Sequence, residues 1–186
     1  LWGHSLATGL AAALIARWRK APSPSTAQLA GLLHDLGKHA LAAAEPGAFR
    51  LLRAQAQKGR MPWSEAERRM GLQAHTLLGH RLAGTWRFPS RLRAAVLYHH
   101  EPDPSRRPGL DAETNELVDT VIVADGMARR LGLGHPGDSS GSPAWGALTR
   151  QRLGLDREDV TLLSVRLEAE FERALALWLP ERPPQR

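Results

Sequence analysis

Apolar positions recur every three or four residues along nearly the whole chain, and no segment shows sustained alternation, so the pattern predicts helices and no sheet. A first helix is predicted from the chain start to about Trp18, stopped by the Pro22-Ser23-Pro24 turn. Ser25 or Thr26 caps a second that carries Leu29, Leu32, Leu33 and Leu36 and closes at Gly37. A third opens near Pro46, a residue tolerated in a first helical turn. Ser64 and Glu67 form a capping-box pattern that opens a fourth, and Gly71 breaks it before a further helix from His75 to Trp86. Pro89-Ser90 starts another, running through Leu92, Val96 and Leu97 to His99-His100, where Pro102 ends it. Asp111 caps a long helix to Leu131. Gly132 to Gly146 is rich in Gly, Pro and Ser and reads as a loop, after which Asp156 caps a last amphipathic helix ending near Trp178.

The expected organisation is an all-α helical bundle with its core over 1–131, a loop over 132–147, a C-terminal helix over 148–180 packed on that core, and a Pro183-Pro184 tail over 181–186. The chain opens inside a predicted helix with neither cap nor lead-in, so an upstream domain of the same protein is expected.

Composition narrows the classes. A length of 186 residues suits one domain, and an apolar fraction of 42% supplies a core. The longest apolar stretch, Leu6 to Ala16, contains Gly9, ends at Arg17 and falls short of the roughly 18–20 residues a membrane span needs. It is not read as a signal peptide, since His4 stands where a basic leader belongs. Without cysteine there is neither a disulfide framework nor thiolate ligation, and a cytoplasmic location is the default. The net charge of +6 is carried by arginine, the lysines being Lys20, Lys38 and Lys58. The arginines are dispersed, with pairs at Arg68-Arg69, Arg106-Arg107 and Arg129-Arg130, which favours a solvated basic surface over a nucleic-acid face. The six tryptophans read as packing residues, since none forms a stacking series for bases.

The candidate chemistry lies in histidine and aspartate. His4, His34-Asp35, His75, His99-His100 and Asp125 are spread over most of the predicted helices. Imidazole with carboxylate suits iron, manganese, zinc or cobalt, and such sites leave positions open for water or substrate. His34 and Asp35, adjacent on a helix, project about 100° apart, so both reach one ion while the second oxygen of Asp35 stays free for another. Asp125 lies on an apolar helix face, where an isolated carboxylate is costly to bury and a metal supplies the partner. His39, His80 and His135 fall outside this set.

The stretch Gly31-Leu32-Leu33-His34-Asp35-Leu36-Gly37-Lys38 resembles the signature that names the HD superfamily. Leu1-Trp2-Gly3-His4-Ser5 resembles the opening of its HDOD branch. Gly71, His75, Gly79, Trp86 and Pro89 follow that branch in order, as does Tyr98-His99-His100-Glu101-Pro102, and Asp125 stands where the superfamily has its final metal aspartate. The resemblance implies an HD-domain helical bundle with metal ligands His4, His34, Asp35, His75, His99, His100 and Asp125, and a divalent centre of two ions, iron or manganese ahead of zinc or cobalt. All seven positions are filled, as in the related HD-GYP phosphodiesterases. The Gly-Tyr-Pro segment of those enzymes is missing, however, since Glu101 runs into Pro102-Asp103-Pro104-Ser105-Arg106-Arg107-Pro108-Gly109, so cyclic di-GMP hydrolysis is not carried over. The activity implied is hydrolysis of a phosphoric ester, on a nucleotide or cyclic nucleotide in signalling, with Asp35 central and Lys38 holding a phosphate oxygen or, alternatively, completing a helix C-terminus. The other expectation is a non-catalytic HDOD-type signalling module with a structural metal site.

Overall fold

Prolines and acidic caps that punctuate the sequence become helix ends in the computed structural model, which describes residues 1–138 and 147–178. In chain order these are α1 (Trp2–Trp18), α2 (Pro24–Leu33), α3 (Leu36–Ala44), α4 (Pro46–Lys58), α5 (Trp63–Arg69), α6 (His75–Thr85), α7 (Ser90–Tyr98), a 3-10 turn (Pro104–Arg106), α8 (Ala112–Arg130), α9 (Ala147–Arg152) and α10 (Arg157–Trp178). The fold is all-α, and no strand occurs among the described residues. The loop sequence over 139–146 and the expected tail over 181–186 lie outside them. Asp111 caps α8 through Thr114 N, and Asp156 accepts from Asp159 N at the start of α10.

Three expectations are corrected. The second predicted helix is two: α2 ends at Leu33, the chain breaks at His34-Asp35, and α3 resumes at Leu36. Gly37 therefore lies inside α3, and its role is packing. The C-terminal segment likewise holds two helices, parted at Gly154 with φ +63°. Of the tryptophans, Trp63 is buried, whereas Trp2, Trp18 and Trp86 stay about half exposed.

The main core forms where α1, buried along most of its length, meets α8 and α10 through Ala12, Ile15, Val123, Met127, Leu163 and Leu167. A second cluster of Leu52, Ala56, Trp63 and Ala66 joins α4 to α5. Two glycines set the helix spacing that the site depends on. A Cβ at Gly31 would stand 2.6 Å from the Thr8 carbonyl oxygen of α1, and one at Gly37 would stand 1.9 Å from the His75 carbonyl oxygen of α6. Only glycine admits both approaches, which bring His34-Asp35 against α1 on one side and α6 on the other. The segment after His100 is clamped by buried Arg107, whose guanidinium donates to the Glu101 carbonyl and to Asp119 Oδ1 at 2.8 Å. Arg152 of α9 grips the same carboxylate. No helix among the described residues is long and apolar enough to cross a membrane.

Candidate metal centre

All seven candidate ligands meet in one place. His4 comes from the first turn of α1, His34 and Asp35 from the α2–α3 break, His75 from the start of α6, His99 and His100 from the end of α7, and Asp125 from the middle of α8. The break matters: Asp35 has φ −97° and ψ 22°, outside the helical well, so the pair is not presented by a continuous helix as its spacing suggests. Six of the seven are buried, and His100 is half-buried.

Asp35 stands between two groups of donors. Its Oδ1 lies 3.5 Å from His75 Nε2 and 3.6 Å from His99 Nε2. His75 Nε2 lies 3.4 Å from His99 Nε2 and 3.2 Å from His100 Nε2. On the other side Asp35 Oδ2 lies 3.4 Å from His34 Nε2, which is 3.8 Å from Asp125 Oδ1. His4 Nε2 closes this second group by donating to Asp125 Oδ1 at 2.8 Å. The sets His75, His99, His100 and His4, His34, Asp35 each bring their donor atoms close enough together for one ion.

The tautomers are set from behind. His34 Nδ1 lies 2.7 Å from the Gly31 carbonyl and His99 Nδ1 lies 2.9 Å from the Val96 carbonyl. A carbonyl only accepts, so both Nδ1 atoms carry the proton and both Nε2 lone pairs point inward. His75 Nδ1 backs onto the Glu67 carboxylate at 3.0 Å. Burial pushes His75 and His100 well below the usual histidine range and lowers His99 and His4. At His34 burial also opposes the charge, but the adjoining Asp35 outweighs it and raises the pKa. Burial works against ionised Asp35 and Asp125 too. Lys38 beside Asp35 and Arg129 beside Asp125 overcome it, and hold both carboxyls well below the usual carboxylate range. Burial thus favours the neutral form of His75, His99, His100 and His4, while the carboxylates stay ionised and Asp35 favours the charged form of His34; ligation would displace the protons on His34 and on His4 Nε2.

A divalent cation fits this arrangement. His34 Nε2 and Asp35 Oδ1 are buried without a hydrogen-bond partner among the described residues. His75 and His99 are both anchored at Nδ1, so their Nε2 atoms, 3.4 Å apart, present two lone pairs to each other, an arrangement a cation would relieve.

Four supporting groups escaped the sequence reading. Glu67 does not close a capping box with Ser64: α5 starts at Trp63, whose backbone N–H donates to Asp138 Oδ2 at 3.1 Å. Glu67 instead accepts from Trp63 Nε1 and from His75 N, and burial pushes its carboxyl up to about 7. Arg129 donates to both oxygens of Asp125, at 2.9 and 3.1 Å, and to Asp138 Oδ1 at 2.9 Å. Its spacing of four residues from Asp125 on one helix was the available signal. The Pro136 carbonyl is the fourth, accepting from Lys38 Nζ at 3.1 Å.

Lys38 is fully buried and also donates to Asp35 Oδ2 at 2.9 Å, with its ammonium 5.4 Å from the Trp63 ring centre. It is thus turned to Asp35, not to solvent. The remaining histidines stand apart: His39 pairs with Ser5 Oγ, His80 with the Arg93 carbonyl and guanidinium, and His135 accepts from Gly137 N. A cleft of about 160 Å³ opens over the centre, lined by Trp63, His99, His100, Asp125, Arg129 and Asp138 among others.

The HDOD domain family model matches residues 1–102, which contain every candidate ligand except Asp125. Among solved structures, one from Marinobacter aquaeolei VT8, named as a candidate signal transduction protein, is 22% identical with a TM-score of 0.76, over 95% of this chain and 38% of that one. An HDOD domain protein of unknown function from Geobacter sulfurreducens is 24% identical with a TM-score of 0.63, over 96% and 62%. A protein from Shewanella amazonensis SB2B, named as a candidate phosphohydrolase, is 18% identical with a TM-score of 0.63, over 90% and 58%. This chain thus spans less than two thirds of each of those chains, and at these identities the likeness is one of fold. No curated protein matches the chain.

Proposed function

The chain belongs to the HDOD family, and from that premise we propose that it is a metal-dependent phosphohydrolase or phosphodiesterase acting on a nucleotide or cyclic nucleotide in signalling. The observation that carries the reading is the place of Asp35, whose two oxygens face two separate groups of histidines. A carboxylate so placed suits a two-ion centre, with His75, His99 and His100 on one side and His4, His34 and Asp125 on the other. Imidazole and carboxylate donors favour iron or manganese, with zinc and cobalt as alternatives. Bound divalent cations would supply Lewis acidity and water that ionises near neutral pH.

The chain's own residues prepare for that. Lys38 keeps Asp35 ionised and aimed inward, and Arg129 with His4 does the same for Asp125. The cleft is smaller than the roughly 300–1,000 Å³ of an ordinary organic-ligand pocket, so it suits the phosphoryl end of a substrate with the remainder outside.

A second reading has its own support. Lys38 and Arg129 already neutralise the two buried carboxylates, so a non-catalytic signalling module with a structural metal site also suits the geometry. The names of two solved relatives, a candidate phosphohydrolase and a candidate signal transduction protein, accord with one reading each.

Titration of chelator-stripped protein with Mn²⁺ under reducing conditions tests the centre itself. Two equivalents are expected to bind and to raise the melting temperature, since a ligand at about 100 times its Kd adds about 2.7 kcal/mol to stability. Binding of one equivalent, or none, counts against the two-ion centre.

A further inference from the structure

Glu67 lies behind the three-histidine group, where α5 meets the first turn of α6. It is 2% exposed, and burying an ionised carboxyl is costly unless its oxygens are fully used. They are used on one neighbour above all. Oε1 accepts from the His75 backbone N at 2.8 Å and from Trp63 Nε1 at 2.9 Å, while His75 Nδ1 faces both oxygens, at 3.1 Å from Oε1 and 3.0 Å from Oε2. The other two rings anchored at Nδ1, those of His34 and His99, rest on backbone carbonyls. His75 alone of these three has a side-chain carboxylate behind it, which makes its opposite nitrogen the stronger donor. His75 is also central to its group, with His100, His99 and Asp35 Oδ1 at 3.2, 3.4 and 3.5 Å from Nε2. A misplaced His75 therefore disturbs every donor on that side.

We infer that Glu67 is the positioning residue of the three-histidine group: it holds His75 in the Nδ1–H tautomer with Nε2 turned toward His99 and His100, and so sets how tightly that group binds a divalent cation. The inference rests on the metal-centre reading above. Trp63 belongs to the same device, because its indole orients Glu67 while its backbone N–H is held by Asp138.

Glu67→Gln is the informative variant because it keeps the shape and reverses one polarity. Its amide oxygen remains with the two N–H donors, and its NH₂ group then faces His75 Nδ1. An Nδ1–H there meets a donor at 3.0 Å, and the amide oxygen at 3.1 Å already accepts two N–H groups, so the variant favours the proton on Nε2, where it blocks the donor atom. Nitrogen-15 NMR of the metal-free protein is expected to show His75 as Nδ1–H in the parent and as Nε2–H in Glu67→Gln. Mn²⁺ binding is expected to weaken about 10–100-fold in the variant. Glu67→Asp, which retains the carboxylate, is expected to keep the parent tautomer with a smaller loss of affinity. An Nε2–H tautomer in the parent overturns the inference, as does a Glu67→Gln protein that binds Mn²⁺ like the parent. If Glu67→Gln does not fold, the parent tautomer and Glu67→Asp still decide. A parent that binds no Mn²⁺ sinks the metal-centre reading, while the tautomer measurement still judges the role of Glu67.

Discussion

Asp35→Asn is expected to abolish metal-dependent turnover and to strip the centre of tightly held cations. The carboxylate faces His75 and His99 with one oxygen and His34 with the other, so a neutral amide withdraws charge from both donor groups at once. The loss should exceed the roughly 10²–10³-fold expected for a single stabilising hydrogen bond. One side effect needs control. Lys38 is fully buried and ion-paired to Asp35, and removing one partner of a buried pair leaves the other uncompensated. Asp35→Asn with Lys38→Met removes both charges and is expected to recover stability without recovering metal. A single variant that keeps two equivalents of Mn²⁺ and parental turnover would contradict the role given to Asp35.

Arg129→Met is expected to be the most destabilising substitution at the site, measured by chemical denaturation of metal-free protein. Arg129 contacts both oxygens of Asp125 and one of Asp138, and all three side chains are buried. Breaking a buried pair costs about 3–5 kcal/mol, a large part of the roughly 5–15 kcal/mol that holds a domain together. The pH dependence follows from the direction of the Asp125 shift. Burial alone would raise this carboxyl, but Arg129 leads the groups that hold it well below its ordinary value. A depressed carboxyl contributes stability above its unfolded pKa of about 3.9, and that contribution disappears as pH falls through the folded value. Without Arg129 the folded value rises, so acid unfolding should begin at higher pH than in the parent. Mn²⁺ should recover part of the loss, because a cation beside Asp125 replaces the missing charge. A change within about 0.5 kcal/mol, the range of an ordinary surface substitution, would contradict this account.

Much of this was legible in the chain wherever a residue acts locally. Asp111 and Asp156 cap the helices they were expected to cap, and Pro46 opens α4, because capping and proline geometry depend on neighbours three or four residues away. The convergence of His34, Asp35 and Asp125 was expected from the ordered resemblance to the HD superfamily and from the partner a buried carboxylate needs, although Arg129, four residues on, is also such a partner for Asp125. Most of what escaped the sequence depends on contacts between segments far apart along the chain. Gly37 looked like a helix stop and proved to be the point where α3 meets the His75 carbonyl of α6. Glu67 had the spacing of a capping box, but Asp138 supplies the cap and the carboxylate turns to His75. Lys38 carried the charge expected of a phosphate-holding residue, yet its ammonium is held by Asp35 and the Pro136 carbonyl. Nothing in the local pattern around Gly37 or Glu67 shows which distant partner is present, whereas for Lys38 the three-residue spacing from Asp35 was the available signal.

The most direct test of the central claim is turnover by Mn²⁺-loaded, reduced protein on a panel of mononucleotides, cyclic mononucleotides, cyclic dinucleotides and generic phosphodiesters. The expected result is hydrolysis of at least one of them, lost on chelation and lost in Asp35→Asn. Protein that holds its metal and leaves every one of these substrates intact would contradict the enzyme and support the signalling module.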